Sequence, residues 1–178
     1  MLKFVVRAAI VIAAVIAGVL AYAAARPDTF QIARSIAIKA PPEKIFPMIN
    51  DPHAFNTWNP FLKMDPATKL AYRGPASGKG AGHDWDGNSQ VGKGSLEITD
   101  SLPSSRIVMK LDMIKPMEAH NRVEFTLEPK GDATQVTWVM SGPSPYVAKV
   151  MSTVFSMDRM VGGEFEKGLA DLKAQAEK

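Results

Sequence analysis

The chain has 178 residues, 46% of them apolar, and its 21 Lys and Arg against 18 Asp and Glu give a net charge of +3. It contains no cysteine, which excludes disulfides, thiolate metal sites and a cysteine nucleophile. Two of the basic residues, Lys3 and Arg7, belong to an N-terminal apolar segment, and the other charges are nearly balanced and unclustered. This balance argues against a nucleic-acid-binding protein.

The N-terminal segment from Phe4 to Ala25 is apolar enough to reach a membrane. Ala8–Ala25 is an uncharged run of 18 residues. As a helix it would be about 27 Å long, against about 30 Å for the hydrocarbon core of a bilayer, and it gains length if Arg7 snorkels to the interface. An uncleaved transmembrane anchor over residues 1–25 is favoured, because the apolar region of a signal peptide is usually about 7–15 residues long. A cleaved signal peptide ending in Ala23–Ala25 and an interfacial helix are the alternatives.

Positive charges flank this segment on both sides. Lys3 and Arg7 favour an N-terminus held inside the cell, whereas Arg26 and Arg34 reduce the asymmetry. We expect a single-pass protein of the cell inner membrane with its domain on the periplasmic or extracytoplasmic side. Residues 26–33 are predicted to form a linker and residues 34–178 one domain, which is long enough to bury a core.

The domain begins with short elements. Arg34–Lys39 is predicted to form the first strand, because its apolar and polar residues alternate. Pro41–Pro42 opens a helix, since proline is tolerated in a first turn. Pro47 should kink or shorten that helix. A second short helix follows, capped by Asn50 or Asp51.

Six more strands are predicted after residue 68. Two short ones lie near Lys69–Arg73 and Ala81–Asp86, on either side of a glycine-rich loop. Four longer ones alternate between apolar and polar residues, as at Val123, Phe125 and Leu127. Turn residues separate these four strands. Short connections between half-buried strands predict an antiparallel meander.

The last part of the chain is predicted to be helical. An apolar stripe runs from Val147 through Met151 and Phe165 to Leu172, which indicates one long helix. Gly162–Gly163 interrupts it, either bending the helix or letting another backbone approach. A one-faced antiparallel sheet needs a cover for its apolar side, and this is the long helix available. The predicted fold class is therefore α+β.

Residues spread over the whole domain carry a family resemblance. They are Arg34–Pro42, Ile45–Phe46, Asp51, Trp58–Phe61, Gly80–Ala81, Trp85, Gly87–Asn88, Gly92–Gly94, Thr134–Trp138 and Gly168–Lys173. As a set they resemble the START-like superfamily, also called SRPBCC, in its polyketide cyclase/dehydrase and lipid-transport branch, from about Phe30 to the end. The resemblance implies a helix-grip fold, in which a curved antiparallel sheet wraps around a long C-terminal helix with a hydrophobic cavity between them. Pro47 departs from the family's pattern for the first helix.

The sequence has no catalytic or metal-binding signature. It lacks a Gly-x-Ser-x-Gly elbow, a His-Glu-x-x-His motif and a Walker loop. No two of its three histidines have a ligand spacing within one element, and we expect neither a metal nor a cofactor. His83 shares strand parity with Trp85 and faces the cavity if Trp85 does, where it would bind a polar group or act as an acid or base. The alternative is a histidine satisfied by a backbone carbonyl or lying near the cavity mouth. His120 is predicted to face solvent.

Two further polar residues fall on predicted apolar surfaces. Asp158 lies on the helical stripe between Val154 and Val161, where a carboxylate needs a partner or water. A salt bridge and a polar cavity floor are the two interpretations. Asn121 faces inward by strand parity and is a third polar contact. His83 and Asp158 are the available catalytic candidates.

Aromatic and methionine side chains are predicted to converge between sheet and helix. Methionine adapts its shape to varied apolar ligands, which favours a binding cavity, although the same residues would also fill a solid core. The predicted cavity residues, polar ones included, are Trp58, Phe61, His83, Trp85, Met109, Met113, Asn121, Trp138, Met140, Met151, Phe155 and Asp158.

Three functions fit these features. The first is membrane-tethered binding or transport of a hydrophobic small molecule or lipid in the cavity. The second, suggested by the family, is a cyclase or dehydrase-like enzyme that uses polar residues in the same cavity. The third is a non-catalytic interaction module. The expected partners are thus an apolar ligand and a membrane, and the sequence defines no oligomeric state.

Overall fold

The N-terminal segment is a single helix in a computed structural model that describes residues 2–154 and 156–178. This helix, α1, runs from Leu2 to Ala24. Within the described residues it is the one helix long and apolar enough to cross a membrane, and none of its apolar window is buried inside the protein. Its length and composition fit either a membrane anchor or a signal sequence.

The rest of the described chain is built on one seven-stranded antiparallel sheet. The strands are β1 (Thr29–Ile38), β2 (Lys69–Arg73), β3 (Gly82–Asp86), β4 (Lys93–Leu102), β5 (Arg106–Lys115), β6 (Ala119–Lys130) and β7 (Ala133–Pro143). Their order is β1-β7-β6-β5-β4-β3-β2, so the first strand closes the meander beside the last one. β1 begins at Thr29, five residues before the predicted start at Arg34, because its first residues pair with the end of β7.

Three short helices connect β1 to β2. They are α2 (Pro42–Asn50), α3 (Pro52–Trp58) and α4 (Pro60–Lys63). Pro47 lies inside α2, which ends three residues later. Asp51 caps α3 by accepting a 2.7 Å hydrogen bond from the backbone N–H of His53. Asn59 caps α4 in the same way.

The meander alternates between buried and exposed side chains as its sequence indicates. In β6, Val123, Phe125 and Leu127 are buried, and the polar residues between them are more exposed. A bulge at Thr99 disturbs the register between β4 and β5, so that Val108 is buried together with its neighbours. The prediction of an antiparallel meander is confirmed.

The predicted single closing helix is wrong, because the chain forms two helices there. They are α5 (Tyr146–Val154) and α6 (Met157–Ala176). A new helix begins because the Ser156 hydroxyl caps α6 by accepting from the backbone N–H of Arg159. α5 packs mainly against the C-terminal end of α1. Val147 and Met151 are consequently exposed and do not belong to the core stripe.

The longer helix, α6, covers the inner face of the sheet. The α6 side chains of Phe165, Leu169 and Leu172 are buried. The Phe165 ring stacks on Trp138 of β7 with ring centroids 4.0 Å apart. The curved sheet and its C-terminal helix thus form the predicted helix-grip architecture.

Candidate functional site

Four predicted cavity residues lie in the solid part of the core. Trp58, Met109, Trp138 and Met140 are at most 7% exposed and belong to one packed apolar cluster. Trp58 and Trp138 make an edge-to-face contact with centroids 5.7 Å apart. Phe61 packs at the edge of this cluster, against Phe165. The half of the inner face beneath α6 is therefore filled by side chains.

A second part of the inner face lies beyond the start of α6. The first turn of α6 lies near Arg34, because the Arg34 guanidinium donates hydrogen bonds to the carboxylate of Asp158 in that turn. Arg34 is four residues from Phe30 on β1, a distance of about 13 Å along a strand. Inward-facing residues at the level of Phe30 are therefore beyond the helix.

These residues form a row across all seven strands. Strand register pairs Tyr72 with His83, His83 with Leu96, Leu96 with Leu111, and Leu111 with Asn121. Asn121 lies against Gly142, which pairs with Phe30. We call this set the open inner row: Phe30, Gly142, Asn121, Leu111, Leu96, His83 and Tyr72. Its central leucines, with Phe30 and Asn121, are only partly buried, although the row beside it, with Met109 and Val123, is fully buried.

His83 lies near one end of the open inner row. Its side chain is 2% exposed, and its Nδ1 atom finds no hydrogen-bond partner among the described residues. Burial lowers the pKa of His83 to about 4, so that the imidazole is neutral near pH 7. The Tyr72 and Trp85 rings lie on its two sides, with centroids 5.8 Å and 6.2 Å away. A neutral imidazole can accept or donate a hydrogen bond, but at 2% exposure His83 would have to turn outward before a bound group could reach it.

Asn121 lies toward the other end of the row. Its Oδ1 atom is buried and accepts no hydrogen bond from the described part of the chain. The amide fits there because residue 142 is glycine: a Cβ atom at that position would be 2.2 Å from Oδ1. An acceptor left unsatisfied in this way costs about 1–3 kcal/mol. A donor on a bound ligand would recover that energy.

Asp158 is not part of this surface. It forms a salt bridge with Arg34 at 2.9 Å, and 61% of its side chain is exposed. The hydrogen bond from Arg34 lowers the pKa of Asp158, which keeps the carboxylate ionised. Four strands separate β1, which carries Arg34, from β3, which carries His83. The two catalytic candidates, His83 and Asp158, therefore do not meet.

The remaining predicted cavity residues are dispersed. Trp85 is buried beside Gly94 and donates its indole N–H to the Val91 carbonyl at 3.3 Å. Met113 is partly buried in the row next to the open inner row. Met151 is 50% exposed on α5, away from the sheet, because α5 packs against α1. Phe155 lies outside the described residues.

An open groove on the outer face of the sheet had no counterpart in the sequence analysis. Its volume is about 840 Å³, and its outward-facing lining includes Gln31, Lys110 and Arg122. The groove also reaches Phe30, Asn121 and Gly142 of the open inner row. His120 borders it, exposed as predicted, with Nδ1 2.7 Å from the Asp112 carboxylate. The alternation of apolar and polar residues indicates which side chains point outward. It does not indicate that the curvature of the sheet arranges these side chains as a groove. No three His, Asp or Glu side chains within residues 2–154 and 156–178 are grouped so as to hold a metal ion.

The curved antiparallel sheet, the helix across it and the partly open inner face define a START-like helix-grip domain. Residues 29–177 match the family described as polyketide cyclase / dehydrase and lipid transport. The chain belongs to that family. Comparison with curated protein sequences gives no match.

Solved structures with the same fold cover nearly the whole domain. The X-ray structure of protein CV1439 from Chromobacterium violaceum is 16% identical, covers 86% of this chain and 99% of that chain, and has a TM-score of 0.59. The solution structure of the Aha1 dimer from Colwellia psychrerythraea is 21% identical over 83% and 96% of the two chains, with a TM-score of 0.57. The crystal structure of Ara h 8.0201 is 12% identical over 82% and 99%, with a TM-score of 0.54. At these identities the likeness concerns the fold.

Proposed function

We propose that this protein binds or carries a hydrophobic small molecule or lipid on the open inner row while tethered to a membrane. The observation that carries the proposal is the chemistry of that row. Leu96 and Leu111 are apolar and partly exposed, and on either side of them His83 and Asn121 have buried polar atoms without a hydrogen-bond partner among the described residues. The family description, which includes lipid transport, supports the same reading.

Burial of apolar surface would supply most of the affinity. Covering about 200 Å² of apolar ligand surface contributes about 5 kcal/mol at about 25 cal/mol per Å². If the His83 and Asn121 side chains turn toward the ligand, hydrogen bonds to Nδ1 and Oδ1 would then orient its polar groups. An entirely apolar molecule would leave both atoms unsatisfied, so we expect a ligand with an apolar body and at least one polar group.

The packing of α1 supports a retained anchor over a cleaved signal. Ala23 is fully buried, and the carbonyl of Leu20 accepts a 3.0 Å hydrogen bond from the Tyr146 hydroxyl. Cleavage after Ala25 would remove both contacts. Residues 1–25 would then be a single-pass inner-membrane anchor with the domain on the periplasmic or extracytoplasmic side. Because β1 starts at Thr29, the Phe30 end of the open inner row would then lie close to the membrane.

Two tryptophan substitutions on one strand test ligand binding. Leu111→Trp would fill the open inner row, and Lys110→Trp, its neighbour on the outer face, is the matched control. Native mass spectrometry of the domain from Arg26 to Lys178 would measure co-purifying lipid, with circular dichroism to verify the fold of each variant. We expect bound lipid in the wild type and in Lys110→Trp and its loss in Leu111→Trp. Equal lipid content in all three proteins, or none in any, contradicts the proposal.

A cyclase or dehydrase-like enzyme is the second candidate, and the observation in its favour is the neutral His83 at the buried end of the open inner row, whose Nδ1 has no hydrogen-bond partner among the described residues. Because Asp158 is held by Arg34, His83 is the remaining acid/base candidate. Such an enzyme would lose turnover in His83→Gln while keeping its ligand. Unchanged turnover in that variant would remove this candidate.

A further inference from the structure

α5 exposes apolar side chains that a helix in water would normally bury. Tyr146, Val147 and Met151 are 47%, 65% and 50% exposed. Met157 and Met160, in the first turn of α6, follow next in the chain and are 46% and 62% exposed. We call these five residues the α5 face. Contiguous apolar surface of this kind usually marks contact with a protein or a membrane.

The single charged residue of α5 points the opposite way. Lys149 is 6% exposed and forms an ion pair with Asp28, just beyond α1. The hydrogen bond from the Lys149 ammonium lowers the pKa of Asp28. In an amphipathic helix on a water-facing surface, lysine would be outside and valine and methionine inside. The inverted arrangement of α5 fits an apolar exterior.

The contact between α5 and α1 indicates what surrounds the exposed side of α5. The Tyr146 hydroxyl bonds the carbonyl of Leu20. Leu20 lies four residues, or about 6 Å along a helix, before Ala24 at the end of α1. If α1 crosses a bilayer, the beginning of α5 is therefore within about one helical turn of the boundary between hydrocarbon and headgroups. Tyrosine is enriched at that depth, where its ring can be buried and its hydroxyl remains near polar groups.

We infer that the α5 face is a second membrane-contacting surface, lying in the bilayer interface beside α1. The occupant is the lipid surface itself, because the α5 face begins in contact with the last turns of α1, the proposed membrane anchor. The contact would fix the tilt of the domain, so that the Phe30 end of the open inner row faces the bilayer. This inference rests on the membrane tethering proposed above.

The absence of cysteine allows a direct test with single-cysteine variants of the full chain. Val15→Cys reports on α1, Met151→Cys on the α5 face, and Lys130→Cys on the opposite end of the sheet. Each is labelled with an environment-sensitive fluorophore and reconstituted in vesicles of phosphatidylcholine and phosphatidylglycerol. Lipids that carry a nitroxide near the headgroup are then added to quench labels at the interface, and lipids with a deep nitroxide to quench labels in the core.

We expect the label at residue 151 to shift to the blue and to be quenched by the shallow nitroxide. The label at residue 15 should be quenched by the deep one, and the label at residue 130 by neither. If residue 151 behaves like residue 130 while residue 15 is quenched, the protein is tethered and the inference about α5 is overturned. If residue 15 is not quenched, the tethering itself fails, and the inference fails with it.

Discussion

The guanidinium of Arg34 on β1 lies directly against the backbone of Gly162 in α6. A Cβ atom on residue 162 would be 2.2 Å from the Nη2 atom of Arg34. The guanidinium is also held in place, because it donates hydrogen bonds to the carboxylate and the backbone carbonyl of Asp158 and to Glu166. A glycine in mid-helix thus allows an arginine to fasten α6 to the edge strand.

Alanine substitutions at two adjacent glycines should have different effects. In a helix interior alanine is favoured over glycine by about 1 kcal/mol, and Gly163→Ala should gain most of this. Its Cβ atom would meet nothing within 4 Å. Gly162→Ala should be less stable than Gly163→Ala, because its Cβ atom displaces the Arg34 guanidinium from its hydrogen bonds. Urea unfolding measures the free energy of unfolding of both variants. Equal stabilisation would show that the contact between Arg34 and residue 162 does not contribute to stability.

Asp158→Asn should destabilise the protein in a pH-dependent way. The Arg34 hydrogen bond lowers the pKa of Asp158 in the folded protein, below its ordinary value of 3.8. The ionised carboxylate therefore stabilises the fold above pH 3.8, and this contribution is lost as the pH falls through the lowered pKa. The difference in unfolding midpoint between wild type and Asp158→Asn should be largest near neutral pH and vanish in strong acid. A constant difference would contradict the prediction.

His83 should make the protein less stable in mild acid. Its pKa falls from 6.5 to about 4 on folding, chiefly through burial. The unfolded chain therefore takes up the proton first, so stability is lost as the pH falls from about 6.5 to about 4, by about 3 kcal/mol in all. His83→Gln should flatten this part of the stability profile. An NMR titration that gives His83 an ordinary pKa would refute the argument.

The strands could be predicted because their signal is local. In β6 and β7 each side chain alternates between a buried and an exposed face, so period two alone defines the elements. The same parity places His83 and Asn121 on the inner face. These features depend on neighbouring residues in the sequence.

The long C-terminal helix was predicted, but its separation from α5 could not be, because the packing of these helices depends on distant partners. The apolar stripe from Val147 to Leu172 has one period, but its first part contacts α1 and the rest contacts the sheet. The partner of Asp158 is Arg34, 124 residues away. The position along the strands at which α6 begins decides which part of the inner face is filled and which is open. The helical spacing of apolar residues does not indicate that position.

Replacing Asn121 by leucine should stabilise the protein and impair its function. The substitution removes a buried Oδ1 atom that has no hydrogen-bond partner among the described residues, which should raise the free energy of unfolding by about 1 kcal/mol. It also removes an acceptor for the polar group of the ligand, so the purified protein should retain less lipid by native mass spectrometry. Arg122→Leu, its neighbour on the outer face, should leave lipid content unchanged. A destabilised Asn121→Leu protein with full lipid content would show that Asn121 serves the fold and does not contact the ligand.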